Sequence, residues 1–332
     1  MRFQILSLSG GGYLGLYSAA VLADLEAQTG RRVVDMFDLL AGTSIGGIVA
    51  LGLAAGASAA SIRDAFVEDG SLIFGPSQPK RGASKHIETL RTLASSRYSV
   101  APLRRTIERI VGKETTMAGL LRPTVIPAVN LTKGGPKVFK TGHHSALVLD
   151  WLLPVVDVAL ATSAAPTYFP AHRIGAEIFA DGGLFANSPD MVAVHEAEQF
   201  LGVDPGDVHV LSVGTTSTSF AFSGATAADM GILAWMKDER LTSAIIGSQQ
   251  AVTDDMMRHR LGRRYVRIDR MQADAQRGEL ALDCASEGAK KTLVAMAQAS
   301  IAEASGETPL RKMLQHAAID RPFVNASLGD RA

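Results

Sequence analysis

The chain is poor in cysteine and carries no excess of charge of either sign. Cys284 is the single cysteine among 332 residues, which excludes an internal disulfide framework or a cysteine-based zinc site and fits a reducing cytoplasm. The 33 basic and 33 acidic residues balance, so no overall field favours nucleic acid or a membrane surface. The first residues lead directly into a strand-like run, and no secretory signal is expected. We therefore expect a cytoplasmic protein without a nucleic-acid partner.

One uncharged segment, residues 39–60, is long enough to suggest a membrane-spanning helix. More than half of the segment is Gly, Ala, Ser or Thr, and small residues let a helix pack closely against a sheet. We expect a buried helix here rather than a membrane span. The overall composition, 47% hydrophobic, is that of an ordinary globular domain.

Strand-like and helical patterns alternate along the chain. A short apolar run at residues 5–8 ends in glycines, residues 14–28 form a helical pattern that stops at Gly30, and residues 33–40 resemble a second strand. Such alternation predicts an α/β fold with a mostly parallel sheet. Further predicted elements are strands at 124–130, 138–140, 177–180, 208–213 and 265–268 and a helix at 286–304. Residues 69–85 and 214–231 are predicted connecting segments, either binding loops or plain linkers.

A nucleophile-elbow pattern, G-x-S-x-G, occupies residues 42–46 (GTSIG). The turn from strand to helix is tight, so Gly42 and Gly46 leave room for Ser44 to present its hydroxyl above the sheet. The following helix begins at the serine, and its first amides and its dipole favour developing negative charge. The pattern makes Ser44 a candidate nucleophile.

A second glycine cluster, residues 9–15 (SGGGYLG), also lies between a predicted strand and a predicted helix. Successive glycines let backbone amides converge on an anion, either a phosphate or an oxyanion. The spacing G-x-G-x-x-G is also that of a dinucleotide site, with Asp35 or Asp38 as the acid that binds ribose. A nucleotide-binding Rossmann-like protein without hydrolase activity is therefore the alternative, although it leaves Ser44 unexplained.

A carboxylate, Asp181, follows the apolar run 177–180 and precedes Gly182 and Gly183. An aspartate in a turn is often only a turn former. At the end of a strand, however, its carboxylate is also well placed to serve an active site. Asp181 is therefore a candidate base.

Together these motifs resemble the patatin-like phospholipase family. The family has a glycine-rich oxyanion loop, a G-x-S-x-G elbow and a later D-G-[GA] motif, in this order. Segments 161–170, 187–189 and 211–215 are also similar to family segments, and the resemblance covers roughly residues 4–216.

The resemblance implies a three-layer α/β/α fold with a mostly parallel central sheet and a helical C-terminal portion. We expect a catalytic domain at residues 1–285 and a helical extension, residues 286–332, packed on it. The family implies a Ser44–Asp181 dyad that cleaves acyl esters of membrane phospholipids without a metal or other cofactor. A membrane substrate implies that the protein makes peripheral contact with the inner membrane when it is active. Whether the protein forms a homo-oligomer is left open. The oxyanion site is assigned to the backbone amides of four residues: Gly10, Gly11, Gly12 and Ile45.

The chain departs from the family pattern at two positions. The family usually has Asp at the position of Ser9 and Arg or Lys at that of Leu14. Since the basic residue supports the oxyanion loop, another cation would have to take its place.

Other polar residues offer weaker signals. His143, His144 and His172 lie between the elbow and Asp181, but no histidine falls in a motif, and the adjacent pair lacks metal-ligand spacing. Five arginines occur between residues 258 and 267, as an anion site or as a solvated helix end.

The chain is also similar to bacterial members of the family that act as phospholipase effectors in cyclic-oligonucleotide antiphage defence (CBASS). The short start up to Gly12 and the helical tail after Asp269 carry this similarity. It implies a cyclic oligonucleotide activator, for which residues 214–231 and the arginine cluster are the first candidate positions. A ligand-regulated protein that keeps the fold without hydrolysis is a further alternative.

Overall fold

A computed structural model describes residues 1–75, 96–147, 149–216, 231, 234–235, 240–276, 278–321 and 323–324. Its strands are β1 (Phe3–Leu8), β2 (Leu39–Gly42), β3 (Thr124–Asn130), β4 (Gly135–Lys140), β5 (His172–Ile174), β6 (Glu177–Asp181), β7 (Val208–Val213) and β8 (Tyr265–Ile268). Its helices are α1 (Gly15–Thr29), α2 (Ile45–Ala54), α3 (Ala59–Ile73), α4 (Val100–Val111), α5 (Val155–Thr162), α6 (Gly183–Ala186), α7 (Asp190–Gln199), α8 (Arg240–Leu261), α9 (Glu287–Ala304) and α10 (Thr308–Leu314). Short 3-10 turns connect several of them.

The strands form one mixed sheet in the order β5-β6-β3-β2-β1-β7-β8, with β4 also paired to β3. The pairs β3-β2, β2-β1, β1-β7 and β7-β8 are parallel. The pairs that involve β4, β5 and β6 are antiparallel. The predicted α/β fold with a mostly parallel central sheet is therefore confirmed for the strands nearest the centre.

Both faces of the sheet are covered, and this gives the three-layer arrangement. On β1, Leu6 and Leu8 join a large cluster with helices α1 to α5 and α9. Phe3 and Ile5 join a smaller cluster with α7 and the end of α8 on the other face. This alternation of inward side chains is the period of two that a strand imposes.

Strand β3 brings two distant parts of the chain together. Strand β2 pairs with its first residues, through Ala41 and Val125, whereas β6 pairs with its last residues, through Asp181 and Ala128. Because β2 runs parallel to β3 and β6 runs antiparallel, the carboxyl ends of β2 and β6 point toward each other along β3. The two candidate catalytic motifs follow these two ends.

Several predicted elements differ in detail. Residues 33–40 were expected to be a strand, but residues 33–35 form a 3-10 turn and the strand begins at Leu39. The segment 39–60 contains β2 and the buried helix α2. Within the described ranges, no helix is long and apolar enough to cross a membrane. The expected connection 69–85 begins inside α3, and its residues 76–85, like residues 217–230 of the second connection, lie outside the described part of the chain.

Candidate active site

Ser44 lies in the turn between β2 and α2, in a backbone conformation that residues other than glycine rarely adopt. Its φ is 56°, in the left-handed region. The two flanking glycines make this turn sterically feasible: a Cβ on Gly42 would lie 2.2 Å from the carbonyl oxygen of Gly46, and one on Gly46 would lie 2.5 Å from that of Leu8. Residues 42–46 thus have the geometry of a nucleophile elbow.

Asp181 ends strand β6 and faces the serine. The Ser44 hydroxyl donates to Asp181 Oδ2 at 2.6 Å, and the Gly183 amide donates to Oδ1 at 2.7 Å. The side chain is buried, and burial raises the pKa of Asp181 to about 6, although the hydrogen bonds from Ser44 and Gly183 oppose this shift. That value is close to the ordinary pKa of a histidine, so the carboxylate is basic enough to accept a proton near neutral pH.

Thr162, at the end of α5, ties the two strand ends to β3. Its hydroxyl donates to the carbonyl oxygen of Pro127 at 2.5 Å and accepts from the Ser44 amide at 3.0 Å. Its carbonyl oxygen accepts from the Gly182 amide at 3.3 Å. Thr162 falls within the 161–170 segment of the family resemblance, but its contacts depend on the pairing of β3 and were not predicted.

The glycine loop lies beside the serine. Gly11, Gly12 and Ile45 line the same cavity as Ser44, and among the described residues no acceptor is found for their amides. Gly12 has a φ of 55°, and a Cβ there would lie 2.2 Å from the carbonyl oxygen of Leu282. The amides of Gly11, Gly12 and Ile45 are therefore the candidate donors to an oxyanion.

The role of Gly10 differs from the predicted one, which was to donate its amide to an oxyanion. Its amide donates to the carbonyl oxygen of Asn187 at 2.9 Å, so it is not a free donor for an oxyanion. Its own carbonyl oxygen accepts from Asn187 Nδ2 at 3.2 Å and from Thr215 Oγ1 at 2.9 Å. Gly10 therefore anchors the loop to two other elements of the site.

A buried cation lies behind the loop, but it does not come from position 14. Leu14 is 4% exposed and packs in the core. Arg267, in β8, donates to Ser212 Oγ at 2.8 Å and to Asp269 Oδ2 at 2.7 Å, and its Nη1 lies 3.5 Å from Ser9 Oγ. Asp269 in turn accepts from the Thr216 amide, at 3.0 Å. Arg267 belongs to the arginine cluster, so the solvated-end interpretation is wrong for this member.

A cavity of about 520 Å³ opens above the serine. Most of its lining is apolar, and it has a buried end and an exposed end. The buried end contains Ile48, Leu103 and Phe169, whereas Leu184, Leu241 and Ile245 are at least 36% exposed. Arg97 is the cationic side chain among the described lining residues, and its Nη1 donates to Asp283.

The histidine candidates have other partners. His143 is buried between Thr141 and Glu196, and His172 contacts Asp157. Neither lines the cavity, and neither does His144. A Ser–His arrangement is therefore not formed by these residues.

The dinucleotide alternative fails on the position of its acid. Asp38 precedes β2, and its carboxylate accepts from the Gln4 amide and from His316. It lies at the amino edge of the parallel strands, whereas Gly10–Gly12 follow the carboxyl end of β1. A ribose-binding acid would have to lie at the same edge as the glycine loop.

A serine elbow at the carboxyl edge of an α/β sheet, with a carboxylate on its hydroxyl, defines the class of serine hydrolases. Comparison with known proteins gives the family within this class. The family model for patatin-like phospholipase matches residues 6–194. A cGAMP-activated phospholipase of Pseudomonas aeruginosa (strain BWHPSA011 / Pa011) is 41% identical over 295 residues, which cover 88% of this chain and 85% of that protein. A cGAMP-activated phospholipase of Vibrio cholerae serotype O1 is 36% identical over 306 residues, which cover 86% of each chain.

Among solved structures, VipD from Legionella pneumophila matches with a TM-score of 0.39 and 13% identity, over 89% of this chain and 67% of that one. The chain belongs to the patatin-like phospholipase family. It is an enzyme that hydrolyses lipid esters.

Proposed function

We propose that Ser44 is the nucleophile and Asp181 the general base of this hydrolase. The observation that carries the proposal is the 2.6 Å hydrogen bond from Ser44 Oγ to a buried carboxylate at the floor of an apolar cavity. No other titratable side chain among the described residues contacts the serine hydroxyl.

The proposed reaction has two halves. Ser44 Oγ bonds to the ester carbonyl carbon while its proton passes to Asp181 Oδ2, and the amides of Gly11, Gly12 and Ile45 bind the oxyanion. The C–O bond to the alcohol then breaks, and Asp181 returns the proton to the leaving oxygen. In the second half, water attacks the acyl-enzyme and Asp181 accepts its proton. Collapse of the oxyanion then breaks the bond to Ser44 Oγ, Asp181 returns the proton to this oxygen, and the fatty acid is released.

The substrates we propose are acyl esters of membrane phospholipids. The buried apolar end of the cavity suits an acyl chain, and the apolar residues at its open end suit contact with a bilayer surface. Because a phospholipid enters from the membrane, we infer that the protein makes peripheral contact with the inner membrane when active.

The regulation we propose is activation by a cyclic dinucleotide. Two relatives that match most of this chain are named cGAMP-activated phospholipases. In this proposal the resting enzyme has low activity, and the nucleotide raises it in an antiphage response.

We further propose the domain division expected from the sequence, with a catalytic domain at residues 1–285 and a helical extension from residue 286. Helix α9 of this extension lies against α1, and the Tyr17 hydroxyl donates to Ser300 Oγ at 2.8 Å. Such buried contacts support an extension that is part of the same folded body.

The nucleophile is tested with a fluorophosphonate probe. We expect the protein, incubated with cGAMP, to be labelled, and we expect Ser44→Ala to abolish labelling and phospholipid hydrolysis with the fold retained by circular dichroism. Ser163→Ala is the matched control, because Ser163 lines the same cavity but its hydroxyl donates to the Ala159 carbonyl oxygen. Persistent labelling of Ser44→Ala would rule out the assignment.

Activation is tested separately, by fatty-acid release from phospholipid vesicles with and without cGAMP. Equal rates would contradict nucleotide activation while leaving the assignment of Ser44 unaffected.

A further inference from the structure

Helix α8 contacts both halves of the site through one side chain, Gln249. Its Oε1 accepts from the Asn187 amide at 3.2 Å. Its Nε2 donates to the carbonyl oxygens of Gly183 at 3.3 Å and Leu184 at 3.1 Å. One amide group thereby holds three backbone groups of the segment that follows Asp181.

The residues held by Gln249 are those that orient the catalytic groups. Asn187 makes two hydrogen bonds with Gly10 and so holds the oxyanion loop. Gly183 donates its amide to Asp181 Oδ1 and so orients the carboxylate. Gln249 touches neither Ser44 nor Asp181, and its influence on them passes through these two neighbours.

The buried residues of helix α8 lie at one of its ends, in the part of the chain that the structure describes. Its buried residues, Met257 and Leu261, lie in the last two turns, and Arg260 pairs with Glu198 there. The first turns contain exposed and half-buried residues, and four of these line the cavity: Leu241, Thr242, Ile245 and Ile246. Gln249 lies between the buried end and the cavity-lining end.

We propose that Gln249 is a positioning residue that fixes the Asp181 turn and the oxyanion loop relative to each other. The placement of α8 thereby sets the rate at which Ser44 is acylated. The proposal rests on the assignment of Ser44 and Asp181 made above. Since misplacing reacting groups by about 1 Å costs up to about 10²-fold in rate, loss of three long hydrogen bonds is expected to cost about tenfold.

The test uses the full chain and a soluble short-chain ester, so that membrane binding does not enter. In Gln249→Met the side-chain volume is kept and the hydrogen bonds are lost. We expect kcat and the rate of fluorophosphonate labelling to fall about tenfold, with KM within about twofold of the parent. Gln249→Glu keeps the acceptor for the Asn187 amide but places a carboxylate oxygen against the carbonyl oxygens of Gly183 and Leu184, so its kcat is also expected to fall below that of the parent.

Gln250→Met is the matched control. Gln250 is the next residue on α8 and is also half-buried, and its side chain makes no hydrogen bond with a described residue. Its kcat and labelling rate are expected to equal those of the parent. The Tm of each variant is measured, because a purely structural residue would lower Tm without a selective fall in kcat.

Two outcomes would overturn the proposal: a Gln249→Met variant with the parent's kcat, or equal losses of kcat in Gln249→Met and Gln250→Met. If Ser44→Ala retains hydrolysis of the ester, the assignment of the nucleophile fails instead, and the two failures are thus distinguishable.

Discussion

Asp181 is buried and accepts a hydrogen bond from the Ser44 hydroxyl, which loses its proton in the proposed mechanism. Burial raises the pKa of Asp181 to about 6, and in the proposed mechanism its carboxylate form accepts the proton of Ser44. We therefore expect kcat/KM for a soluble ester to rise with pH through an apparent pKa of about 6 and to level off above about pH 7. A pH–rate profile measures this. A rise centred near the ordinary carboxylate pKa of about 4 would contradict the effect of burial.

The same pKa shift has a consequence for stability that Asp181→Asn tests. Because the folded-state pKa lies above the unfolded value, the protonated carboxyl favours the folded state at low pH, and this stabilisation is lost as pH rises through about 6. At pH 8 the ionised carboxylate weakens the fold. Asp181→Asn is thus expected to be inactive but to have a Tm no lower than the parent's at pH 8, an advantage that shrinks toward pH 5. A Tm at pH 8 that falls well below the parent's would contradict this reasoning.

At the level of single residues, short sequence motifs predicted those candidate residues whose neighbours in the sequence define their position. Ser44 and Asp181 lie at strand ends and have glycines nearby in the sequence, so their positions could be predicted, while their catalytic roles stay a proposal. The use of the Gly10 amide could not be predicted, because its acceptor is the carbonyl oxygen of Asn187, 177 residues away. Arg267 and Gln249 reach the site from elements that carry no motif.

Among the elements, helix α4 contributes Leu103 to the cavity lining, and this side chain is 4% exposed. Leu103→Ala lengthens the space for an acyl chain, so the chain-length optimum is expected to move toward longer esters. The kcat/KM values for a series of p-nitrophenyl esters measure this.

The control for this prediction is Ile107→Ala, one turn further along α4. Ile107 is fully buried but does not line the cavity. Both substitutions remove core methyl groups and should cost about 2–5 kcal/mol of stability, so stability alone does not separate them. An unchanged chain-length profile in Leu103→Ala, or the same shift in both variants, would show that Leu103 does not limit the acyl chain.

Most strands were predictable because their apolar runs are short and end at turn residues; β3, β7 and β8 have the predicted bounds. The strand predicted at residues 33–40 starts too early, because Val33 and Val34 are buried in a 3-10 turn rather than in a strand. Helix α8 was not predicted, because only Met257 and Leu261 of its residues are buried and its sequence therefore shows little amphipathic periodicity. The division of the chain at residue 286 stays a prediction.

Across the whole molecule, the C-terminal segment closes the edge of the sheet opposite to the site. Asp38 is fully buried and accepts from the Gln4 amide at 2.7 Å, from the Ile319 amide at 2.7 Å and from His316 Nε2 at 2.8 Å. Asp38→Ala leaves these donors without a partner, and we expect a loss of about 3 kcal/mol in the free energy of unfolding. Urea unfolding followed by fluorescence measures it.

Asp35→Ala is the control, because Asp35 pairs with Arg32 on the surface and its side chain is 40% exposed. Its effect should stay within about 0.5 kcal/mol. Folded Asp38→Ala is expected to keep the parent's kcat with the soluble ester, since the carboxylate is remote from Ser44. Equal unfolding midpoints for the two variants would show that the hydrogen bonds of Asp38 do not stabilise this edge of the sheet.

The order in which the site's parts are synthesised follows from their positions in the sequence. The glycine loop and Ser44 leave the ribosome early, but Asp181 and Asn187 come much later, and Thr215, Gln249 and Arg267 later still. A nascent chain holds the nucleophile long before it holds the base or the supports of the oxyanion loop. If Ser44 and Asp181 have the roles proposed above, an unfinished chain that lacks Asp181 is expected to be inactive toward membrane phospholipids.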